Sequence, residues 1–210
     1  MEKSALESKR ALWRKPRAQS KRRALAGKSP PHNNEVALKE LESICAASPS
    51  VRMKQTFHVV FNSPQSGYMS VGLHAGGREL VAAVAYQPDD SLRELIVGLT
   101  ALLESATPHV VVRWNCEPDE LDFDLKVDGA RLKLEVVHYL SHRRAPHTSR
   151  VVFALTGTTT DICAAFWKSL RELHRDIEVD EFARHWRREF PEAELRALTR
   201  ALRNRKRVTA

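Results

Sequence analysis

Asp119–Val136 reads DELDFDLKVDGARLKLEV, with carboxylates at alternate positions, an Asp-Gly pair, and a return run carrying Arg, Lys and Glu on the same alternation. A period of two is that of a strand with one buried and one wet face. Asp-Gly between two such runs reads as a tight hairpin turn. With Asp128-Gly129 as the two central residues of a type I′ turn, Val127 faces Ala130, Leu125 faces Leu132, Phe123 faces Leu134 and Leu121 faces Val136. All four pairs are apolar. On the other face Lys126 meets Arg131, Asp124 meets Lys133, Asp122 meets Glu135 and Glu120 meets Val137. The spacing therefore predicts an amphipathic antiparallel hairpin, and the carboxylates form its polar half.

The same residues raise a chemical reading. Pro118-Asp119 followed by Asp124-Leu125-Lys126 resembles the PD-(D/E)xK motif of restriction-type nucleases, whose two acids converge on one metal ion. On one strand Asp119 and Asp124 stand roughly 16 Å apart at the strand rise and point to opposite faces. Oxygen ligands must reach within about 2.0–2.6 Å of a shared ion, so the spacing argues against that site. What survives is the polar face itself: Asp122, Asp124 and Glu135, with Lys126 and Lys133 beside them, as a surface for another protein.

Outward from the hairpin the pattern stays mixed. Thr56–Asn62, Tyr68–Ala75, Glu79–Tyr86, His109–Asn115 and Arg150–Gly157 are rich in β-branched or aromatic residues and bounded by Gly, Pro and Ser turns. Between the third and fourth, DDSLRELIVGLTALLE begins with Asp or Ser as cap, repeats leucines at i, i+3, i+4 and i+7, and Ser91 with Glu94 fits a capping box. After the last strand Asp161 or a neighbouring Thr caps a helix with Ile162, Ala165, Phe166, Leu170 and Leu173 on one face. Phe182–Phe190 is a further amphipathic segment. Pro191 then opens a last helix whose Leu195, Leu198 and Leu202 face inward. The cations near that helix's end complement its dipole. Together these predict an α+β domain over 54–207: a curved antiparallel sheet of six to seven strands, one inserted helix, and C-terminal helices packed on the sheet.

Composition narrows the function. The hydrophobic content of 42% suffices for a core, and the net charge is +8. Residues 1–54 hold 13 Lys/Arg against 5 Asp/Glu, while the remainder holds 21 of each. Residues 1–34 read as a disordered basic arm and 35–53 as a short helix and linker. Arg14, Lys15, Arg17, Lys21, Arg22 and Arg23 are its candidate phosphate contacts, and residues 9–28 would serve non-specific nucleic-acid binding. Because folded pattern and charge neutrality begin together, translation starting at Met53 is a further expectation, which an intact mass of 23.8 kDa would exclude.

His138, His142 and His147 gather among Arg143, Arg144 and Arg150, which reads as a solvated hairpin loop, with Arg143 and Arg144 as candidate anion contacts. The three cysteines have neither disulfide nor zinc spacing. Cys116 and His109 differ in strand parity, so they form no nucleophilic pair. No phosphate-binding loop, nucleophile elbow or HExxH occurs, and no motif requires a cofactor or metal. With no apolar run long enough to span a bilayer and no signal-peptide pattern, the expected compartment is the cytoplasm.

AYQPDDSLRELIVGLTALLE, VRWNCEPDELDFDLKVDGARLKLEV and FALTGTTTDICAAFWKSLRELH, taken in succession, resemble a diffuse group of uncharacterised bacterial α+β proteins, some of which serve as immunity or accessory proteins in toxin systems. The resemblance implies an immunity- or inhibitor-like binding protein that meets another protein through its charged sheet face, and it carries over no catalytic residue. Two alternatives stand beside it: a nucleic-acid-associated protein using the basic arm, and a metal-dependent hydrolase using the carboxylate ladder.

Overall fold

The computed structural model describes residues 56–144, 149–178 and 181–209. The arm, with Arg14, Lys15, Arg17, Lys21, Arg22 and Arg23, lies outside the described residues, as do Met53 and His147. Seven strands form one antiparallel sheet in sequence order: β1 (Phe57–Phe61), β2 (Tyr68–Ala75), β3 (Arg78–Ala85), β4 (His109–Asn115), β5 (Glu120–Asp128), β6 (Arg131–Tyr139) and β7 (Ser149–Thr158). Helix α1 (Ser91–Leu103) is inserted after β3, and α2 (Thr159–Arg175), α3 (Phe182–Trp186) and α4 (Glu192–Thr209) follow β7. This is the α+β arrangement that the alternation and the leucine repeats predict.

The sheet is divided. Strands β1–β3 and β4–β7 each pair along their length, but β3 meets β4 only at Ala85–Asn115. Beyond that pair β3 turns away and approaches β7, where the Arg78 guanidinium lies 5.9 Å from the centre of the Phe153 ring. The inner faces of the two halves thus enclose one core, in which Trp114, Phe123, Phe166 and Leu73 are fully buried. Each such side chain contributes roughly 1.5–3 kcal/mol of burial.

The helices close that core on one side. Of the two candidate caps it is Asp90 that caps α1, by accepting the Arg93 amide, while the Ser91 hydroxyl donates to the Arg113 carbonyl on β4 at 2.5 Å. The expected Ser91–Glu94 box is replaced because the serine is buried against the sheet, where a hydroxyl needs a fixed partner. Gly98 lets α1 lie close to β4: a Cβ there would come within 2.5 Å of Val110 Cγ1. Thr158 caps α2 through the Asp161 amide, and Ser169 of α2 accepts the Phe61 amide at 2.9 Å, occupying a donor on the edge strand β1.

The β5–β6 register differs from the expected one by two residues. Asp128 pairs with Arg131, so Gly129 and Ala130 form the turn. Gly129 has φ +57°, and Ala130 is absent from the residues of positive φ. Glycine at the first central position is the type II′ pattern, which spares Asp128 the left-handed backbone that type I′ would impose on it. A shift of two keeps every side chain on its expected face and changes its partner. Asp124 now opposes Glu135, Lys126 opposes Lys133, Asp122 opposes Val137 and Leu121 opposes His138.

Candidate functional site

Among the described residues no helix covers the outer face of β4–β7, and the alternation of β5 places Glu120, Asp122, Asp124 and Lys126 there. Asp122 and Glu120 are nevertheless only 7% and 8% exposed. What covers them is Arg144, from the segment after β6. Its Nη1 and Nη2 donate to the two Asp122 oxygens at 2.7 Å each, and its Nε donates to Glu120 Oε2 at 2.5 Å. The guanidinium also lies 4.5 Å from the centre of the Tyr139 ring, and Arg113 Nε stands 3.9 Å from both acids. A planar fork facing one carboxylate bidentately with an aromatic under it is a geometry that suits arginine and not lysine. These bonds, above all those to Asp122, push the Arg144 pKa up against the opposing pull of burial.

The remaining ladder is paired as well. Asp124 takes Lys126 Nζ and His109 Nε2, each at 3.0 Å, and Glu135 takes Lys133 Nζ at 2.7 Å. The five residues expected as a partner surface therefore do share one face, but Asp122 is buried there and the open carboxylates already carry their own cations. Arg144, expected as an anion contact, faces Asp122 and Glu120, while Arg143 is exposed. Around this network the face shows aliphatic surface: Val111, opposite Asp124, is 47% exposed, and Val151, opposite Val137, is 54% exposed.

A second feature lies where β3 passes the ends of β5–β7. A cleft of about 340 Å³ is lined by Leu80, Ala82, Cys116, Asp119, Leu121 and His138, among others. The two-residue register change puts His138 here, on the inner side opposite Leu121, and not in the loop with His142. Its Nε2 is 2.7 Å from Asp119, and its Nδ1 is buried without a hydrogen-bond partner. Cys116 is no nucleophile beside them: burial first, then Asp119 and Glu120, pushes its thiol up to about 12. Asp119 and Asp124 do not converge, since one meets His138 and the other His109 and Lys126. Among the described residues no three His, Cys, Asp or Glu side chains are arranged to hold a metal ion, and no helix is long and apolar enough to cross a membrane.

Sequence reasoning missed Glu120, Arg113, Tyr139 and the His138–Asp119 pair as members of these sites. Glu120 and Tyr139 are cross-strand neighbours only in the observed register. Arg144 reaches them by a return of the chain, at φ +49°, that no local pattern announces.

Comparison with protein-family models, with curated proteins and with solved structures found no match.

Proposed function

We propose that this is a binding protein, immunity- or inhibitor-like in the sense of the group it resembles, which receives another protein on the outer face of β4–β7 in a cytoplasmic setting. The observation that carries the reading is a sheet face left bare by every helix of the described residues, on which Val111 and Val151 flank a fixed Arg144–Asp122–Glu120–Tyr139 network. Arginine and tyrosine beside exposed aliphatic surface are the composition that distinguishes interface cores from ordinary surface. The guanidinium is held in place beforehand, which lowers the ordering cost of association. Since the four carboxylates are neutralised within the chain, the aliphatic residues supply the affinity and the ion pairs fix the register of the partner.

The reading is tested by placing a photo-crosslinking residue at Lys133, which lies on the face opposite Lys126, and separately at Val97 on α1, which is 50% exposed and distant from the face in sequence and element. Irradiation in the source cell should join position 133 to one discrete protein, and the Val111→Asp, Val151→Asp variant should lose that product. Cross-links confined to position 97, or a product at 133 indifferent to both aspartates, would overturn it.

A further inference from the structure

The described part of the chain carries a second charged surface, on the helices. Along α4, Arg196, Arg200, Arg203 and Arg207 recur at i, i+4, i+7 and i+11, all exposed and all on one side. At 1.5 Å per residue the stripe is about 16 Å long. Trp167 Nε1 donates to Thr199 Oγ1 at 2.9 Å and His174 Nε2 lies 3.5 Å from Glu192, so α2 runs antiparallel to α4. That pairing sets Arg171 of α2 level with residues 195–196 of α4, at the N-terminal end of the stripe. Beside it lies a hollow of about 370 Å³ lined by Trp167, Lys168, Arg171, Glu172, His174 and Arg175, with the Arg171 guanidinium 5.1 Å from the Trp167 ring centre.

Within the described residues little of this charge is matched. Arg196 has Glu192 at 3.0 Å and Arg175 has Asp176 at 3.3 Å, while Glu194 is taken by Arg93 of α1. Lys168, Arg171, Arg200, Arg203 and Arg207 have no carboxylate partner among the described residues, and Glu172 and Asp161 are the acids of α2 left to offset them. The helix dipole does not account for the stripe, because its effect is confined to the last turn and Arg196, Arg200 and Arg203 lie before it. Like charges at i, i+4 lower helix stability, so an arrangement of three such neighbours is one that folding alone would not select.

We propose that the exposed arginine stripe of α4, with Arg171 of α2 beside its start, is a docking surface for the phosphate backbone of a nucleic-acid duplex, recognised by charge without base readout. A duplex presents one negative charge per roughly 1.7 Å of axis, so a rigid 16 Å stripe lies along a continuous row of phosphates. Guanidinium groups suit phosphate oxygens bidentately. A membrane surface fits less well: Leu195, Leu198, Ala201 and Leu202 are all buried in the core, leaving α4 no apolar face to enter lipid. An acidic protein fits less well too, since among the described residues no exposed aromatic or aliphatic side chain stands between the arginines of the α4 stripe itself.

The test uses the full-length chain and a fluorescent DNA duplex of about 20 base pairs, with Kd measured by anisotropy between roughly 50 and 200 mM salt. The Arg200→Gln, Arg203→Gln, Arg207→Gln variant should bind at least about tenfold more weakly at the lower salt and lose roughly 2 to 3 from the log–log salt slope, at about 0.9 per phosphate contact. The same positions changed to Lys should keep the slope. Neutralising Arg14, Lys15, Arg17, Lys21, Arg22 and Arg23 separates the arm's contribution, and binding that persists in that variant should vanish when the α4 change is added. Circular dichroism verifies that the exposed glutamines leave the fold intact. An unchanged Kd and slope in the α4 variant would overturn the proposal. So would equal weakening by Lys126→Gln, Lys133→Gln on the sheet face, or a loss of binding to phosphatidylserine vesicles with DNA binding retained.

Discussion

On the outer face of β4–β7, each of Glu120, Asp122, Asp124 and Glu135 has a cation 3.0 Å away or nearer, whereas on α4 Arg200, Arg203 and Arg207 have no carboxylate partner among the described residues. Both surfaces are rich in charge, yet only the first has its charge neutralised in place. A paired face projects little field beyond its own atoms, so it discriminates by shape and by fixed hydrogen-bond geometry. An unpaired stripe acts over a distance set by salt, about 8–10 Å near physiological ionic strength, and selects for opposite charge. Residues 55–210 are neutral in total, but the total hides this segregation.

The sharpest way to break the contrast is to remove the central cation of the sheet face. Arg144→Ala leaves Asp122 and Glu120 nearly buried with only Arg113 close by, at 3.9 Å. Breaking a buried pair by deleting one partner costs about 3–5 kcal/mol. The Arg144 side chain is 22% exposed, so water can enter and the expected loss is nearer about 2–3 kcal/mol. Urea unfolding at neutral pH measures it. A loss below about 0.5 kcal/mol, the scale of ordinary surface substitutions, would show that the network behaves as a surface ion pair.

The two described thiols probe the same two regions. Cys116 borders the sheet acids and Cys163 is buried in α2, and both are pushed from an ordinary 9.0 up to about 12. For Cys163 the cause is burial alone, whereas for Cys116 burial is joined by Asp119 and Glu120. A raised folded pKa on a group that is neutral when protonated means that the folded state holds the proton. The associated stability is complete below pH 9.0 and declines as pH rises toward about 12. Each thiol should contribute up to about 1.4 kcal/mol per pH unit to that decline. Chemical unfolding between pH 8 and 11, with Cys116→Ser and Cys163→Ser each flattening the slope, checks it. Added salt should ease the Cys116 part, through screening of the two acids, and leave the Cys163 part unchanged.

Much of this contrast could be read before any coordinates. Strands β2 and β4 have the limits that their Val-containing and aromatic runs predict, and α1, α2 and α4 follow their leucine spacing, because each of these patterns is local and repeats. The hairpin faces were legible for the same reason, and the register was not, since Asp128-Gly129 and Gly129-Ala130 are both workable turns and only a two-residue shift separates them. That shift decides which residues meet: Asp122 opposes Val137 in place of Glu135, and His138 opposes Leu121 within the sheet in place of lying in a loop. The Arg144 clamp is a long-range closure with no periodic signature. The α4 stripe was visible, but a helix-dipole account near its end made it look complete.

The pairing on the sheet face should be largely about specificity of structure. Replacing all three members, Glu120→Met, Asp122→Leu and Arg144→Met, removes the paired charges together with their hydrogen bonds and leaves none of the three behind alone. Such wholesale apolar substitution of a buried ion network is often neutral or mildly stabilising. The triple variant is therefore expected within about 1 kcal/mol of the parent in urea, against the larger loss for Arg144→Ala. A triple variant as unstable as the single one would mean that the fold needs the hydrogen bonds themselves, and that the face is a structural clamp before it is a binding surface.

The smallest expected effect has the opposite sign. On α4, Arg196–Arg200, Arg200–Arg203 and Arg203–Arg207 are like-charge neighbours at i, i+4 or i, i+3, each unfavourable by roughly 0.2–0.5 kcal/mol at low ionic strength. Arg200→Gln and Arg203→Gln together touch all three pairs while keeping good helix formers in place. They should raise stability by about 0.5–1 kcal/mol at low salt, and the gain should vanish near 1 M salt, where the screening length falls to about 3 Å. A gain that survives high salt would have to come from helix propensity or packing, and the stripe would lose its standing as unmatched charge. A loss of stability would show that these arginines hold intramolecular partners, placing α4 with the sheet face and dissolving the contrast between them.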